Sequence, residues 1–139
     1  ADTGANVSVS ARRPDDAAGV AVLAGGTVTP FPPPRGSWDV LVNATPVGMA
    51  GFDEASPIDQ RLLAGGSLVY DLIYWPPVTR LMSDAARAGC RTLGGLPMLV
   101  AQAERQFEWW TGARPRAGLF EEAARTRLEG PVFRPARYE

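Results

Sequence analysis

Two adjacent arginines, Arg12 and Arg13, follow the short alternating run NVSVSA at Asn6 to Ala11. A guanidinium plane donates two parallel hydrogen bonds to phosphate oxygens and also stacks on an adenine face. Where a dinucleotide-binding α/β fold places an acid for the ribose 2′-hydroxyl, arginine instead accommodates a 2′-phosphate. The doublet equally suits a solvated turn, and Asp15 and Asp16 beside it favour that blander alternative. Met98 and Gln102 stand four residues apart, hence on one face of a helix. A glutamine amide offers a donor and an acceptor to a polyhydroxylated ligand, although glutamine on a helix commonly just faces solvent. Tyr74 brings a hydroxyl to a strand end, where tyrosine is more often a half-buried packing residue. Trp109 and Trp110 read as core plus a partly covered surface, and Cys90 as a small buried hydrophobe.

Absences narrow the chemistry further. The 139 residues carry 14 basic and 15 acidic side chains for a net charge of −1. No general basic field exists to attract nucleic acid or an anionic membrane. All 14 basic residues are arginine, and histidine is absent. A histidine base or metal ligand, a P-loop lysine and a Schiff-base lysine are therefore excluded within the chain. The single cysteine excludes an internal disulfide and a cysteine-only metal site. No apolar run approaches the roughly 18 residues that span a bilayer, and the N-terminus lacks the regions of a secretory signal. A cytoplasmic protein is expected. Asp2 and Thr3 leading into Gly4 read as the last turn of a helix closed by a C′ glycine, so the chain reads as a fragment.

The elements that must position these groups follow from punctuation and periodicity. Asn6 to Ala11 predicts a strand, Ala17 to Ala24 a small-residue helix ended by Gly25-Gly26, and Val28 the centre of a short strand. Trp38 to Ala44 (WDVLVNA) and Leu68 to Ile73 (LVYDLI) predict strong strands, the first buried on both faces. A brief helix is expected at Ile58 to Ala64. Val78 to Ala88 predicts a helix with Leu81, Ala85 and Ala88 on one face, then Cys90 to Leu93 a short strand. Leu96 to Thr111 is the best helix, with Leu99, Ala103, Phe107 and Trp110 at helical spacing and Gly112 closing it. Ala117 to Leu128 predicts a last helix. Alternating strands and helices argue for an α/β fold with a parallel sheet, whose ligands bind beyond the carboxyl ends of the strands. That rule selects the loops at Arg12-Arg13, Asn43 to Met49, Tyr70 to Tyr74 and Gly94 to Met98.

Four of these stretches resemble one family, the NADP-dependent shikimate dehydrogenases. NATPVGM at Asn43 to Met49, VYDLIYWP at Val69 to Pro76, GLPMLVAQA at Gly95 to Ala103 and FEWWTG at Phe107 to Gly112 are similar to its motifs in order and spacing. The resemblance implies a truncated Rossmann-like, doubly wound parallel sheet followed by C-terminal helices. It divides the chain into a partial NADP-binding domain at 1–95, C-terminal helices at 96–128 and a tail at 129–139. SARRPDD then sits where the family carries Asn-Arg-Thr against the adenosine 2′-phosphate. Ala11 replaces the asparagine, Arg12 matches the arginine and Arg13 replaces the threonine, a second guanidinium that could compensate. Asn43, Ala44 and Thr45 would line the path toward the nicotinamide. Leu72 and Gly95 match cofactor-contacting positions, Met98 one beside the nicotinamide, and Tyr74 and Gln102 two substrate-binding positions.

The implied reaction is NADPH-dependent reduction of 3-dehydroshikimate to shikimate, in aromatic amino-acid (chorismate) biosynthesis. Its lysine–aspartate couple, its glycine-rich loop and its substrate domain would all lie upstream. The chain has no lysine, so it carries no catalytic residue of that reaction and is expected to be inactive alone. A missing N-terminal domain is the expected partner, and a homodimer is left open. Two alternatives remain: a quinate/shikimate paralogue, often NAD-using, and a free-standing nucleotide-binding regulatory module.

Overall fold

The structure, a computed structural model, describes residues 4–129. Strands β1 (Ser8–Val9) and β2 (Thr27–Val28) flank helix α1 (Pro14–Ala24). Then come β3 (Val40–Asn43), a 3₁₀ turn (Gln60–Leu62), β4 (Leu68–Asp71), α2 (Arg80–Arg87), β5 (Arg91–Leu93), α3 (Leu96–Thr111) and α4 (Leu119–Glu129). All strand pairs are parallel. β1 pairs with β2, while β3, β4 and β5 form a second sheet in that order. The α/β class and the parallel arrangement expected from the sequence are present. The doubly wound sheet is present as two pieces rather than one.

Local chemistry explains the elements. Pro14 opens α1, where its missing N–H costs nothing, and Asp15 and Asp16 sit in the favourable first turn. Gly25 closes that helix at φ +60°. Thr79 caps α2, its hydroxyl accepting from the Met82 N–H at 3.2 Å. Pro97 near the start and Gly112 at φ +68° bound α3 at the residues the sequence predicts. The predicted strands are longer than the observed ones, because flanking residues such as Trp38-Asp39 and Leu72-Ile73 lie outside the paired ladder.

The core is a single layer beneath one face of the second sheet. Ile58, Leu63, Val69, Leu81, Ala85 and Cys90 are buried together, with Trp38, Leu41 and Ala88 packed against them. Cys90 is indeed a buried hydrophobe. β3 is not buried on both faces: Val40 and Val42 are 53% and 51% exposed, because no described element covers that side. The expected apolar face of α3 is likewise open. Leu99, Ala103 and Phe107 are half-buried, but Trp110 is 74% exposed and joins Trp109 on the surface instead of the core. Phe107 meets Phe120 of α4 edge-on at 5.7 Å. The expected helical turn at residues 1–3 lies outside the described residues, as does the tail expected at 129–139 except for Glu129, which is the last residue of α4 rather than tail.

β1 and β3 each have one strand partner among the described residues. A cleft of about 400 Å³ separates their free edges, lined by Val9 and Ser10 on one side and Leu41 to Thr45 on the other.

Candidate functional site

The loops after β1 and β3 line one cavity, although the two strands belong to separate ladders. Its volume is about 730 Å³, and its lining includes Ala11, Arg12, Arg13, Ala44 and Thr45. Phe31 and Phe52 add aromatic surface to the same cavity, and Asp16 and Asp53 add carboxylates. The structure therefore brings together two loops that are about 30 residues apart in the chain. Asn43 adjoins this space and lines the cleft between the sheets.

The two arginines differ in their engagement. Arg13 donates through Nε to Asp16 Oδ2 at 2.6 Å, with Nη2 at 2.5 Å from the same oxygen. Arg12 is exposed, and its side chain has no hydrogen bond or ion pair among the described residues.

The loop after β3 is held from beneath by a buried polar network. The Asn43 side-chain oxygen accepts from the Thr45 N–H at 3.0 Å and from its hydroxyl at 2.7 Å. The Thr45 hydroxyl in turn accepts from the Val47 N–H at 3.3 Å. The Asn43 amide donates to the Val47 carbonyl at 3.2 Å and to Asp71 Oδ1 at 3.0 Å. Asp71, fully buried, also accepts from the Ile73 N–H at 3.2 Å and, through Oδ2, from the Thr79 hydroxyl at 2.6 Å. One carboxylate thus ties the exits of β3 and β4 to the cap of α2. Asp71 and Thr79 are not among the site residues expected from the sequence. An acid inside the apolar run LVYDLI is the available signal, because an acid within a strand needs hydrogen-bond partners.

Leu72 and Gly95 meet directly. The Gly95 N–H donates to the Ile73 carbonyl at 2.9 Å, and a Cβ on Gly95 would run into the Leu72 carbonyl oxygen. Gly95 and Tyr74 line a second cavity of about 610 Å³ between the β5–α3 junction and α4, where Glu104, Glu121 and Arg125 add charge. Met98 is half-buried and Gln102 exposed, and neither lines either cavity. Tyr74 is 38% exposed. The cofactor-side candidates Ala11 to Arg13 and Ala44 to Thr45 are gathered; Met98 and Gln102 are not brought to them. Among the described residues no cluster of acids and cysteine could hold a metal, and no helix is long and apolar enough to cross a membrane.

Residues 95–125 match the family model described as the shikimate 5′-dehydrogenase C-terminal domain. A shikimate dehydrogenase (NADP(+)) of Archaeoglobus fulgidus is 44% identical over 90 residues, covering 65% of this chain and 34% of the relative. The enzyme of the same name from Pyrococcus abyssi is 40% identical over 126 residues, covering 89% of this chain and 47% of the relative. The crystal structure of the Thermus thermophilus shikimate 5-dehydrogenase, in complex with NADP(H) and shikimate, superposes with a TM-score of 0.78 at 36% identity. It covers 89% of this chain and 47% of its own. The chain spans less than half the length of these relatives. By motif, sequence and fold, the chain belongs to the shikimate dehydrogenase family, with that family's C-terminal domain at residues 95–125.

Proposed function

We propose that this chain is the cofactor-binding part, over residues 1–95, of an NADP-dependent enzyme that reduces 3-dehydroshikimate to shikimate, with C-terminal helices at 96–128. The observation that carries the reading is the cavity between the β1 and β3 exits, where a guanidinium with no protein partner among the described residues stands across from a hydrogen-bonded Asn43–Thr45 loop. Those residues fit an adenosine 2′-phosphate: Arg12 supplies a bidentate, permanently charged donor. The size of the cavity, about 730 Å³, lies within the range of small-ligand sites.

When bound, NADPH supplies the hydride that reduces the ketone. Around it, Ala11, Arg12 and Arg13 would form the 2′-phosphate end of the site, and Ala44 and Thr45 its middle, fixed by the Asn43 amide. Gly95 and Leu72, in backbone contact, would shape the nicotinamide end, with Met98 beside it. Tyr74 and Gln102 would present a hydroxyl and an amide to the hydroxylated ring. Reduction also needs a proton for the nascent alkoxide, and the resemblance assigns that to a lysine–aspartate couple. This chain has no lysine and is inactive alone in this reading, with an N-terminal substrate domain as its partner.

The test is Arg12→Asp in the protein that contains this chain. Charge-assisted hydrogen bonds contribute roughly 1.5–3 kcal/mol, so the loss should fall on NADP by about tenfold or more and spare NAD. KM values for both cofactors decide it, and equal losses would mean that Arg12 does not read the 2′-phosphate.

A further inference from the structure

Asp16 stands at an unexpected place for a site that is to take an anion. It lines the same cavity as both arginines, and its carboxylate holds the Arg13 guanidinium at 2.6 Å. The geometry is built in locally. Pro14 begins α1 directly after Arg13, so Asp16 comes three residues on, in the first helical turn and below the guanidinium. There its negative charge also suits the helix N-terminus. The charges of Arg12, Arg13, Asp15 and Asp16 cancel. Of the doublet, only Arg12 reaches the cavity without a protein partner among the described residues.

We propose that Asp16 is a specificity-determining residue: it occupies Arg13, sets a carboxylate beside the phosphate position, and leaves recognition of a 2′-phosphate to Arg12. The chain then separates phosphorylated from unphosphorylated adenosine less sharply than two free guanidiniums would. The inference rests on the NADP reading given above. The Arg13–Asp16 pair is 82% and 54% exposed, so it is weak and a phosphate dianion competes with it. Releasing Arg13 should therefore tighten the phosphate by about three- to fivefold rather than by orders of magnitude.

The experiment titrates the protein that contains this chain with adenosine 2′,5′-bisphosphate and with adenosine 5′-monophosphate, following binding by calorimetry. Wild type should prefer the bisphosphate, and Arg12→Gln should remove most of that preference. Asp16→Asn, which keeps the size of the side chain and removes its charge, should tighten the bisphosphate about three- to fivefold, the gain confined to that probe. Adding Arg13→Gln should cancel the gain, because it travels through the released guanidinium. The inference is overturned if Asp16→Asn gives no gain, if the gain survives in the double variant, or if Arg13→Gln alone costs as much as Arg12→Gln. Equal affinity of wild type for the two probes would overturn the NADP reading and this inference together. A preference without an Asp16→Asn response overturns the inference alone.

Discussion

Asp71 and Arg12 mark opposite ends of what a single residue can do here. Arg12 is exposed and without a protein partner among the described residues, so its substitution acts on a ligand. Asp71 is fully buried and accepts from Asn43, Ile73 and Thr79, so its substitution acts on the loops that would receive the ligand. In Asp71→Ala the Asn43 amide and the Thr79 hydroxyl each lose a buried acceptor, at roughly 1–3 kcal/mol per stranded group. Asp71→Asn keeps one acceptor oxygen and should lose less. Urea midpoints should fall in the order wild type, Asn, Ala. Midpoints equal to wild type in both variants would show that the carboxylate's hydrogen bonds do not hold these loops. In the sequence the arginine doublet is legible as a choice between a phosphate contact and a solvated turn, and the Asn43–Thr45 loop through its resemblance to a family motif. Asp71 is not, since its importance lies in three partners up to 28 residues away. The Arg13–Asp16 pairing, too, depends on Pro14 starting a helix, which sets the i,i+3 geometry.

At the scale of elements, the β5–α3 junction shows how a backbone approach fixes a site. Gly95 enters α3 while its α-carbon faces the exit of β4, and a methyl there would overlap the Leu72 carbonyl oxygen and lie 2.5 Å from its carbonyl carbon. Those are backbone atoms and cannot swing aside. Gly95→Ala must push α3 off β4, at a cost of about 1–3 kcal/mol for overpacking, and shift Tyr74 relative to α3. Thermal or urea unfolding should show the loss, and amide shifts should change across Leu72 to Tyr74. Unchanged shifts there would mean that the strain is relieved elsewhere. The limits of α3 were readable from Pro97 and Gly112, which act locally. The burial of β3 was not readable, because Val40 and Val42 record an apolar strand and not whether anything covers it. Trp110 misled for the same reason: helical spacing identifies a face, and only a neighbouring element makes that face a core.

The whole molecule is governed by its divided sheet. β1–β2 and β3–β4–β5 are separate ladders, and the free edges of β1 and β3 face each other across a cleft of about 400 Å³. Unpaired N–H and C=O groups along a β-edge template pairing with another chain. On β3 that edge is flanked by Val40 and Val42, both half-exposed, while Leu23 on α1 and Trp109 on α3 are exposed apolar side chains of the same molecule. Burying one such side chain is worth roughly 1.5–3 kcal/mol. Against a total stability of about 5–15 kcal/mol, leaving several uncovered is decisive. The purified 139-residue chain is therefore expected to associate, or to unfold at low urea with a broad transition, because its two ladders share few contacts and can open separately. Sedimentation velocity across a concentration series reads the first outcome and urea unfolding the second. Screening the edge should matter as well. Val42→Lys places a charge on the open face of β3 without touching the buried cluster beneath Leu41, so it should shift sedimentation toward monomer while leaving the urea midpoint nearly unchanged. A monomeric wild type with one sharp transition and an m-value suited to its length would show that the two ladders already fold as one cooperative unit.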